Sequence, residues 1–204
     1  MIPSFVVEIV AIVLLVTLFG VTIYLFGPMR KSKARTVKEI PDDEHANAET
    51  VLRLLNRYAA TNEFKVVTPV NVQEGKISAD LDALLVGWFG VLGVKCLGYG
   101  GTVYGQPDEE EWVQDVLGQR RTFKNPLRRA EESARAVREA LFEAHIKRVP
   151  VETVVVFTGK KTELAVPRSC GHYTVDQFSS YLKSAHFEED KNVDVEQVAA
   201  VFEK

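Results

Sequence analysis

The sequence predicts a single α/β domain, a mixed β-sheet flanked by helices on both faces, preceded by one N-terminal transmembrane helix. Two observations support this fold class. Residues 5–27 form an almost wholly apolar run, about as long as a helix that crosses a bilayer. After this run, helical spacing alternates with short apolar segments and glycine-rich turns, in the order helix, antiparallel strands, helix, strand and two short helices.

Composition narrows the class of protein. The 204 residues carry a net charge of -3, a balance that does not favour a general nucleic-acid binder. Cys96 and Cys170 are too few for a disulfide framework, and we expect both to be reduced.

The apolar run FVVEIVAIVLLVTLFGVTIYLFG, at residues 5–27, is predicted to be an uncleaved membrane anchor after a short tip at residues 1–4. Its one charge, Glu8, lies near the end and can reach the interface. A cleaved signal peptide is the competing interpretation. It would need a basic start, a shorter apolar run and a small-residue cleavage site, and none of these is evident.

A basic linker at residues 28–41 follows the anchor and predicts its orientation. The positive side chains are Arg30, Lys31, Lys33 and Arg35. Since positive residues stay on the cytoplasmic side, we expect a single-pass membrane protein whose domain is cytoplasmic. The same residues could contact anionic lipid headgroups, which makes the bilayer the first expected partner.

The first element of the domain is predicted to be a helix that begins at Asp42 or Asp43, either of which can cap it. Its apolar residues repeat at helical spacing: Ala48, Val51, Leu52, Leu55 and Tyr58.

Antiparallel strands are predicted next. FKVVTPV at residues 64–70 should be a strand and VQEGK at 72–76 a turn. LDALLVGWFGVLGV at 81–94 predicts a hairpin joined around Gly87, and TVYG at 102–105 a further short strand.

The charged residues 107–126 are expected to be irregular, with Trp112 anchoring them to the core. Asn125 and Pro126 predict the N-cap and first position of a long helix. The apolar face of that helix is Ala130, Ala134, Val137, Leu141 and Ala144.

A buried strand, VETVVVFTG at residues 151–159, and a shorter one, ELAVP at 163–167, complete the predicted sheet. Residues 169–204 are predicted to be a helical extension with two helices. Each helix begins with a capping-box pattern: Thr174 with Gln177, and Asp194 with Gln197.

Several motifs follow one another in a characteristic order between residues 45 and 167. A helical glutamate precedes an aspartate that opens a strand, a turn glycine, a tryptophan, an Asn-Pro pair and the strand VVVF. These are Glu49, Asp82, Gly90, Trp112, Asn125, Pro126 and residues 154–157. The ordered set resembles the nuclease-related domain (NERD) family, a branch of the restriction-endonuclease-like fold, and assigns residues 42–168 to a NERD-like domain.

The resemblance implies metal-assisted phosphodiester hydrolysis, with Mg²⁺ or Mn²⁺ held by carboxylates and assisted by a lysine and a glutamine. Without gaps, Lys95 falls on the metal-binding glutamate of the family pattern. Leu97 falls on its lysine, Gly98 on its asparagine and Arg129 on its glutamine. Glu49 and Asp82 remain as a vestigial pair. We therefore expect no catalysis and no cofactor, with a role in binding or scaffolding at the membrane for an unidentified protein partner.

The alternative is a divergent metal-dependent nuclease acting on DNA or RNA through Asp82, Glu49 and a rearranged Lys95. The missing carboxylate would then come from one of three consecutive glutamates, Glu109, Glu110 or Glu111. Shifting the register by two residues makes Lys95 the catalytic lysine but puts Gly93 at the acid position. A third interpretation is that only the fold is shared.

Non-functional interpretations apply to each residue. Asp82 could simply end a strand, Glu49 could be a solvated helix residue, and Lys95 could extend to solvent from a strand edge. Cys170 and His172 are a weak metal cue, and a turn is the favoured interpretation.

The basic stretch RRTFKNPLRR is the remaining surface feature. Its side chains could contact phosphates of lipid headgroups or of nucleic acid, although nucleic acid is not favoured. They are Arg120, Arg121, Lys124, Arg128 and Arg129. The favoured interpretation is that the acidic neighbours PDEEEW and EES neutralise them.

Overall fold

The computed structural model describes residues 44–70, 73–74, 77–168 and 170–203. Over those ranges, no helix is both long enough and apolar enough to cross a membrane. The predicted anchor at residues 5–27, the linker at 28–41 and the predicted caps Asp42 and Asp43 lie outside the described residues.

The described elements alternate between helices and strands. The helices are α1 (Glu44–Asn62), α2 (Pro126–Glu143), α3 (Val175–Tyr181) and α4 (Val195–Phe202), with a 3-10 turn at Ala185–Glu188. The first strands are β1 (Lys65–Val67), β2 (Gln73–Glu74), β3 (Ile77–Ser78), β4 (Ala83–Gly87), β5 (Gly90–Leu97) and β6 (Thr102–Tyr104). The later strands are β7 (Glu111–Val116), β8 (Gln119–Lys124), β9 (Val151–Phe157), β10 (Glu163–Ala165) and β11 (His172–Thr174).

A five-stranded mixed sheet is the centre of the domain, in the order β1-β4-β5-β9-β11. The pairs β1–β4 and β4–β5 are antiparallel, whereas β5–β9 and β9–β11 are parallel. Helices cover both faces, since α1 packs on one face and α2 with α4 on the other. The predicted α/β class with a mixed sheet between helices is confirmed.

The β4–β5 hairpin is formed as predicted, with Trp88 and Phe89 as its connection. Gly90 begins β5 with a φ of 127°. A Cβ atom there would lie 2.4 Å from the carbonyl oxygen of Pro150. Only glycine combines that dihedral angle with that approach, so Gly90 sets how closely β5 runs beside the start of β9.

Residues 107–126 are not irregular, and that prediction was wrong. The strands β7 and β8 form a hairpin within a second, four-stranded sheet in the order β10-β6-β7-β8. Leu117 and Gly118 make its turn with φ of 53° and 82°, positive values that suit the twist of a tight hairpin. Along β7, only Trp112 and Gln114 are fully buried, and one of these two is polar. The alternation of apolar and polar residues that marks a strand is therefore hard to see in the sequence.

Trp112 anchors the second sheet as predicted. Its side chain is 0% exposed, and its Nε1 donates to the carbonyl of Gln106 at 2.9 Å. The ring packs against Phe123 and Phe157, which joins the second sheet to the central one.

The C-terminal residues contribute to the same core. Phe178 packs in the cluster under α1, and Val198 packs in the cluster under α2. The capping box of Thr174 and Gln177 is confirmed, and Asp194 accepts a hydrogen bond from the backbone of Gln197. The strand β11 was not predicted. It follows directly after a bend at Cys170 and Gly171, and a strand of three residues is too short to show a periodic pattern in the sequence.

Asn125 joins the start of α2 to the loop before β7. Its Oδ1 accepts from the backbone of Leu127 at 2.9 Å, which confirms the predicted N-cap. Its Nδ2 donates to the carbonyls of Gln106, Pro107 and Glu109 at 3.3, 3.0 and 2.8 Å. The side chain is therefore the link that fixes a turn and a helix to each other while 1% exposed.

We expect Asn125→Ala to lower the free energy of unfolding by about 2–4 kcal/mol, because a helix cap is lost and buried carbonyls lose their donor. Chemical unfolding of the full chain, followed by near-ultraviolet circular dichroism, measures the change. Glu131→Ala, at an exposed position on the same helix, is the matched control. A loss below about 0.5 kcal/mol would contradict this role of Asn125.

Candidate functional site

The alternation of β5 places Lys95 on the face of the sheet that α2 covers. Leu92, Val94 and Cys96 pack on the opposite face, with α1. Asp82, the residue before β4, lies opposite Lys95, since Ala83 pairs with Val94 and the backbone N–H of Asp82 donates to the carbonyl of Val94 at 2.9 Å.

Lys95 lies between two carboxylates. Its Nζ donates to Oδ1 of Asp80 at 2.8 Å and lies 3.8 Å from Oδ2 of Asp82. Arg129, from the first turns of α2, donates through Nη2 to Oδ2 of Asp80 at 2.6 Å. These four side chains are hereafter the charge cluster.

Backbone and hydroxyl contacts hold the two aspartates in place. Oδ2 of Asp82 accepts from the backbone N–H of Cys96 at 2.6 Å. The backbone N–H of Asp80 donates to Oγ of Ser133 at 3.0 Å, and Ser133 in turn donates to the carbonyl of Arg129 at 2.9 Å. The segment before β4 is therefore attached both to β5 and to α2.

Asp80 is the site residue that the sequence interpretation missed. The signal was present, because Asp80 and Asp82 are two residues apart in SADLDA and side chains at that spacing share one face of an extended chain. The family resemblance drew attention to Asp82 and Glu49 instead.

The electrostatics of Asp80 follow from these contacts. Its partial burial raises the pKa, but the hydrogen bond from Lys95 and the charges of Lys95 and Arg129 together outweigh burial. The pKa of the Asp80 carboxyl therefore lies below its ordinary value, so this carboxyl is ionised at neutral pH.

A cavity of about 430 Å³ opens beside the charge cluster. Asp80, Lys95 and Arg129 line it, together with Lys124 from the end of β8. The rings of Tyr99 and Phe123 form another wall, with centroids 4.2 Å apart. Three cations and one carboxylate among the lining residues make this cavity favourable to anions.

Glu49 lies away from the charge cluster. The helix α1 packs on the opposite face of the sheet, and the Glu49 side chain is 73% exposed and 3.9 Å from Arg53. The structure therefore does not bring Glu49 to Asp82.

The three glutamates proposed as substitutes also lie elsewhere. Glu109 accepts from the backbone of Gln106 at 2.8 Å, and Glu110 lies 3.9 Å from Arg128. Glu110 and Glu111 line a neighbouring cavity rather than the one at the charge cluster. Across the described ranges, no three Asp, Glu, His or Cys side chains are grouped as metal ligands would be.

The predicted basic stretch has several different partners. Arg120 donates to Asp115 of its own hairpin at 3.0 Å, and Arg121 donates to Gln114 and lies over the ring of Tyr99. Arg128 donates to the carbonyl of Asp108 at 2.6 Å. Two members of this stretch, Lys124 and Arg129, line both the cavity at the charge cluster and the cavity next to it.

Comparison with known proteins gives one match. The family model of the nuclease-related domain (NERD) matches residues 44–158, which is more than half of the chain. No match was found among curated proteins or among solved structures.

We expect Asp80→Asn to reduce stability at neutral pH and to change its dependence on acid. Because the folded-state pKa of Asp80 is lowered, its ionised form stabilises the fold above the unfolded-state pKa of about 4, and this contribution is lost as the pH falls through the folded-state pKa. The difference in Tm between the native chain and the variant should therefore narrow between pH 7 and pH 3. Asp108→Asn, at an exposed position, is the control, and a difference that stays constant would contradict the assignment.

Proposed function

Because this chain belongs to the nuclease-related domain family, we propose that it is a membrane-anchored member whose nuclease-like site is non-catalytic. Its role is then binding or scaffolding at the cytoplasmic face of the membrane. The observation that supports the loss of catalysis is the Lys95 ammonium between Asp80 and Asp82.

The ammonium occupies the space beside the carboxylates that a divalent cation would need. Two unit charges 4 Å apart repel by about 4 kcal/mol near a protein surface, and a divalent ion doubles that to about 8 kcal/mol. The carboxylates would have to give up the hydrogen bonds from Lys95 and Arg129 before they could bind a metal. Hydrolysis that depends on a metal-activated water is therefore opposed by this chain's own residues.

The substitutions act together rather than singly. Lys95 stands where the family pattern has an acid, and Arg129 stands where it has a glutamine. Each new cation binds a different oxygen of Asp80. The site contains two carboxylates, Asp80 and Asp82, and both are partners of cations that belong to the protein.

The membrane part of the proposal rests on the apolar residues 5–27 and the basic residues that follow them. A single-pass anchor with Arg30, Lys31, Lys33 and Arg35 on one side places the domain in the cytoplasm. The bilayer is then one partner, and an unidentified protein is the partner that a scaffold would require.

One observation favours the second candidate, a divergent nuclease acting on DNA or RNA. The carboxylates of Asp80 and Asp82 lie 2.8 and 3.8 Å from the same atom, Nζ of Lys95. Asp80 was absent from the ligand set that the sequence suggested. If Lys95 moved away, these two could hold Mg²⁺ or Mn²⁺ without Glu49 or Glu109–Glu111.

We expect the full chain in detergent to cleave neither single- nor double-stranded DNA nor RNA, in magnesium or in manganese. A restored variant with Lys95→Glu, Leu97→Lys and Arg129→Gln should bind Mn²⁺ at least about tenfold more tightly than the native chain, because a cation is replaced by a ligand. Calorimetry and a nuclease assay measure the two properties.

Two further variants complete that experiment. Lys95→Met removes the ammonium without adding an acid. Its Mn²⁺ affinity therefore shows how much of the gain comes from removing the positive charge and how much from adding a carboxylate ligand. Cleavage by the native chain that Asp82→Ala abolishes would overturn the non-catalytic proposal and favour the nuclease.

We expect the full chain to remain in the membrane fraction after alkaline carbonate extraction, because residues 5–27 would span the bilayer. Deleting residues 5–27 should release the chain. Substituting the four basic residues at 30, 31, 33 and 35 by glutamine is a control that keeps the anchor. An intact chain that carbonate extracts would contradict the anchor.

A further inference from the structure

A second cavity, hereafter the C-terminal pocket, lies outside the segment that matches the family. Its volume is about 610 Å³, within the range of small-molecule sites. The strands β10 and β11, which contact each other, and the helix α3 form its walls. All of its lining residues follow residue 158, where the family match ends.

His172 supplies a buried polar group in the wall of this pocket. Its side chain lines the cavity, the residue is 5% exposed, and its Nδ1 has no hydrogen-bond partner among the described residues. Burial lowers its pKa, so the imidazole is neutral at pH 7. A buried polar atom without a partner costs about 1–3 kcal/mol, and the fold bears this cost in the pocket wall because Nδ1 has almost no accessible surface.

Two tyrosines form a rigid aromatic wall. The rings of Tyr173 and Tyr181 are stacked, with centroids 4.6 Å apart and an angle of 18° between their planes. Tyr181 is held in place by Glu152, whose Oε2 accepts from its hydroxyl at 3.4 Å, while His186 lies 3.2 Å from Oε1 of the same carboxylate. Such a wall gives contact area to an apolar or aromatic group with little loss of side-chain entropy.

The rim of the pocket carries one charge of each sign. Arg168 and Asp176 both line the cavity and are exposed. In the described part of the chain, neither side chain forms an ion pair, so both charges are available to a ligand. A cation and an anion at one opening select a molecule with both charges over one with a single charge.

We propose that the C-terminal pocket binds a small zwitterion with an apolar or aromatic side chain, of the class of the apolar α-amino acids. The ligand carboxylate meets Arg168, its ammonium meets Asp176, and its side chain lies against Tyr173, Tyr181 and Leu164. This site is independent of the charge cluster, and it holds whether or not the domain hydrolyses phosphodiesters.

Calorimetric titration of the full chain in lipid nanodiscs tests the proposal, with L-phenylalanine as the probe. Two analogues each lack one charge, namely 2-phenylethylamine without the carboxylate and 3-phenylpropionate without the ammonium. We expect saturable binding of phenylalanine and binding about tenfold weaker for each analogue, because each loses one charge-assisted contact. No saturable binding of phenylalanine, or equal binding of all three, would overturn the proposal.

Charge variants at the exposed rim assign the two contacts without threatening the fold. Arg168→Gln should weaken phenylalanine and 3-phenylpropionate about tenfold and leave 2-phenylethylamine unchanged. Asp176→Asn should weaken phenylalanine and 2-phenylethylamine and leave 3-phenylpropionate unchanged. Lys183→Gln, an exposed charge change outside the pocket, is the matched control and should leave all three unchanged. If Arg168→Gln and Asp176→Asn both bind the three probes as tightly as the native chain does, the assigned contacts are contradicted.

Discussion

The hydrogen bond between Lys95 and Asp80 is the contact on which the arrangement of the site depends. A lysine in the middle of an apolar strand needs a counter-charge, because burying an unpaired ammonium is far more costly than burying a paired one. Asp80 supplies that charge and also accepts from Arg129. One half-buried carboxylate therefore connects β5, the segment before β4 and the first turns of α2, and Ser133 adds a second link to the same helix.

This connection has a chemical consequence. In a metal-dependent nuclease, carboxylate oxygens face a divalent cation and the water that it activates. Here the oxygens of Asp80 face two side-chain cations, and Asp82 faces the backbone of Cys96 as well as Lys95. Electrostatic attraction that would bind a metal here links β5 and α2 to the segment before β4. The neighbouring cavity, with Lys124 beside the Tyr99–Phe123 wall, is correspondingly suited to anions.

The C-terminal residues add to the domain rather than follow it. Phe178 and Val198 are fully buried on opposite faces of the central sheet, and β11 extends that sheet by one parallel strand. The pocket beside β11 exists because the two sheets end close together there, with α3 across the gap. A region outside the family match thus creates a surface that the matched segment alone would lack.

Local sequence determined the features that depend on neighbouring residues. The Asn125–Pro126 start of α2, the Thr174 capping box and the β4–β5 hairpin are set by side chains within a few positions, and all three were predictable. The unusual place of Lys95 in an apolar strand was also visible in the sequence. Tertiary structure alone decided that Asp80 pairs with Lys95 and Arg129, which are 15 and 49 residues away. It also decided that Glu49 lies on the other face of the central sheet, and that Trp112 packs against Phe157 of that sheet. Charge pairing and burial across a sheet depend on which segments meet in space, and neither periodicity nor spacing along the chain encodes that directly.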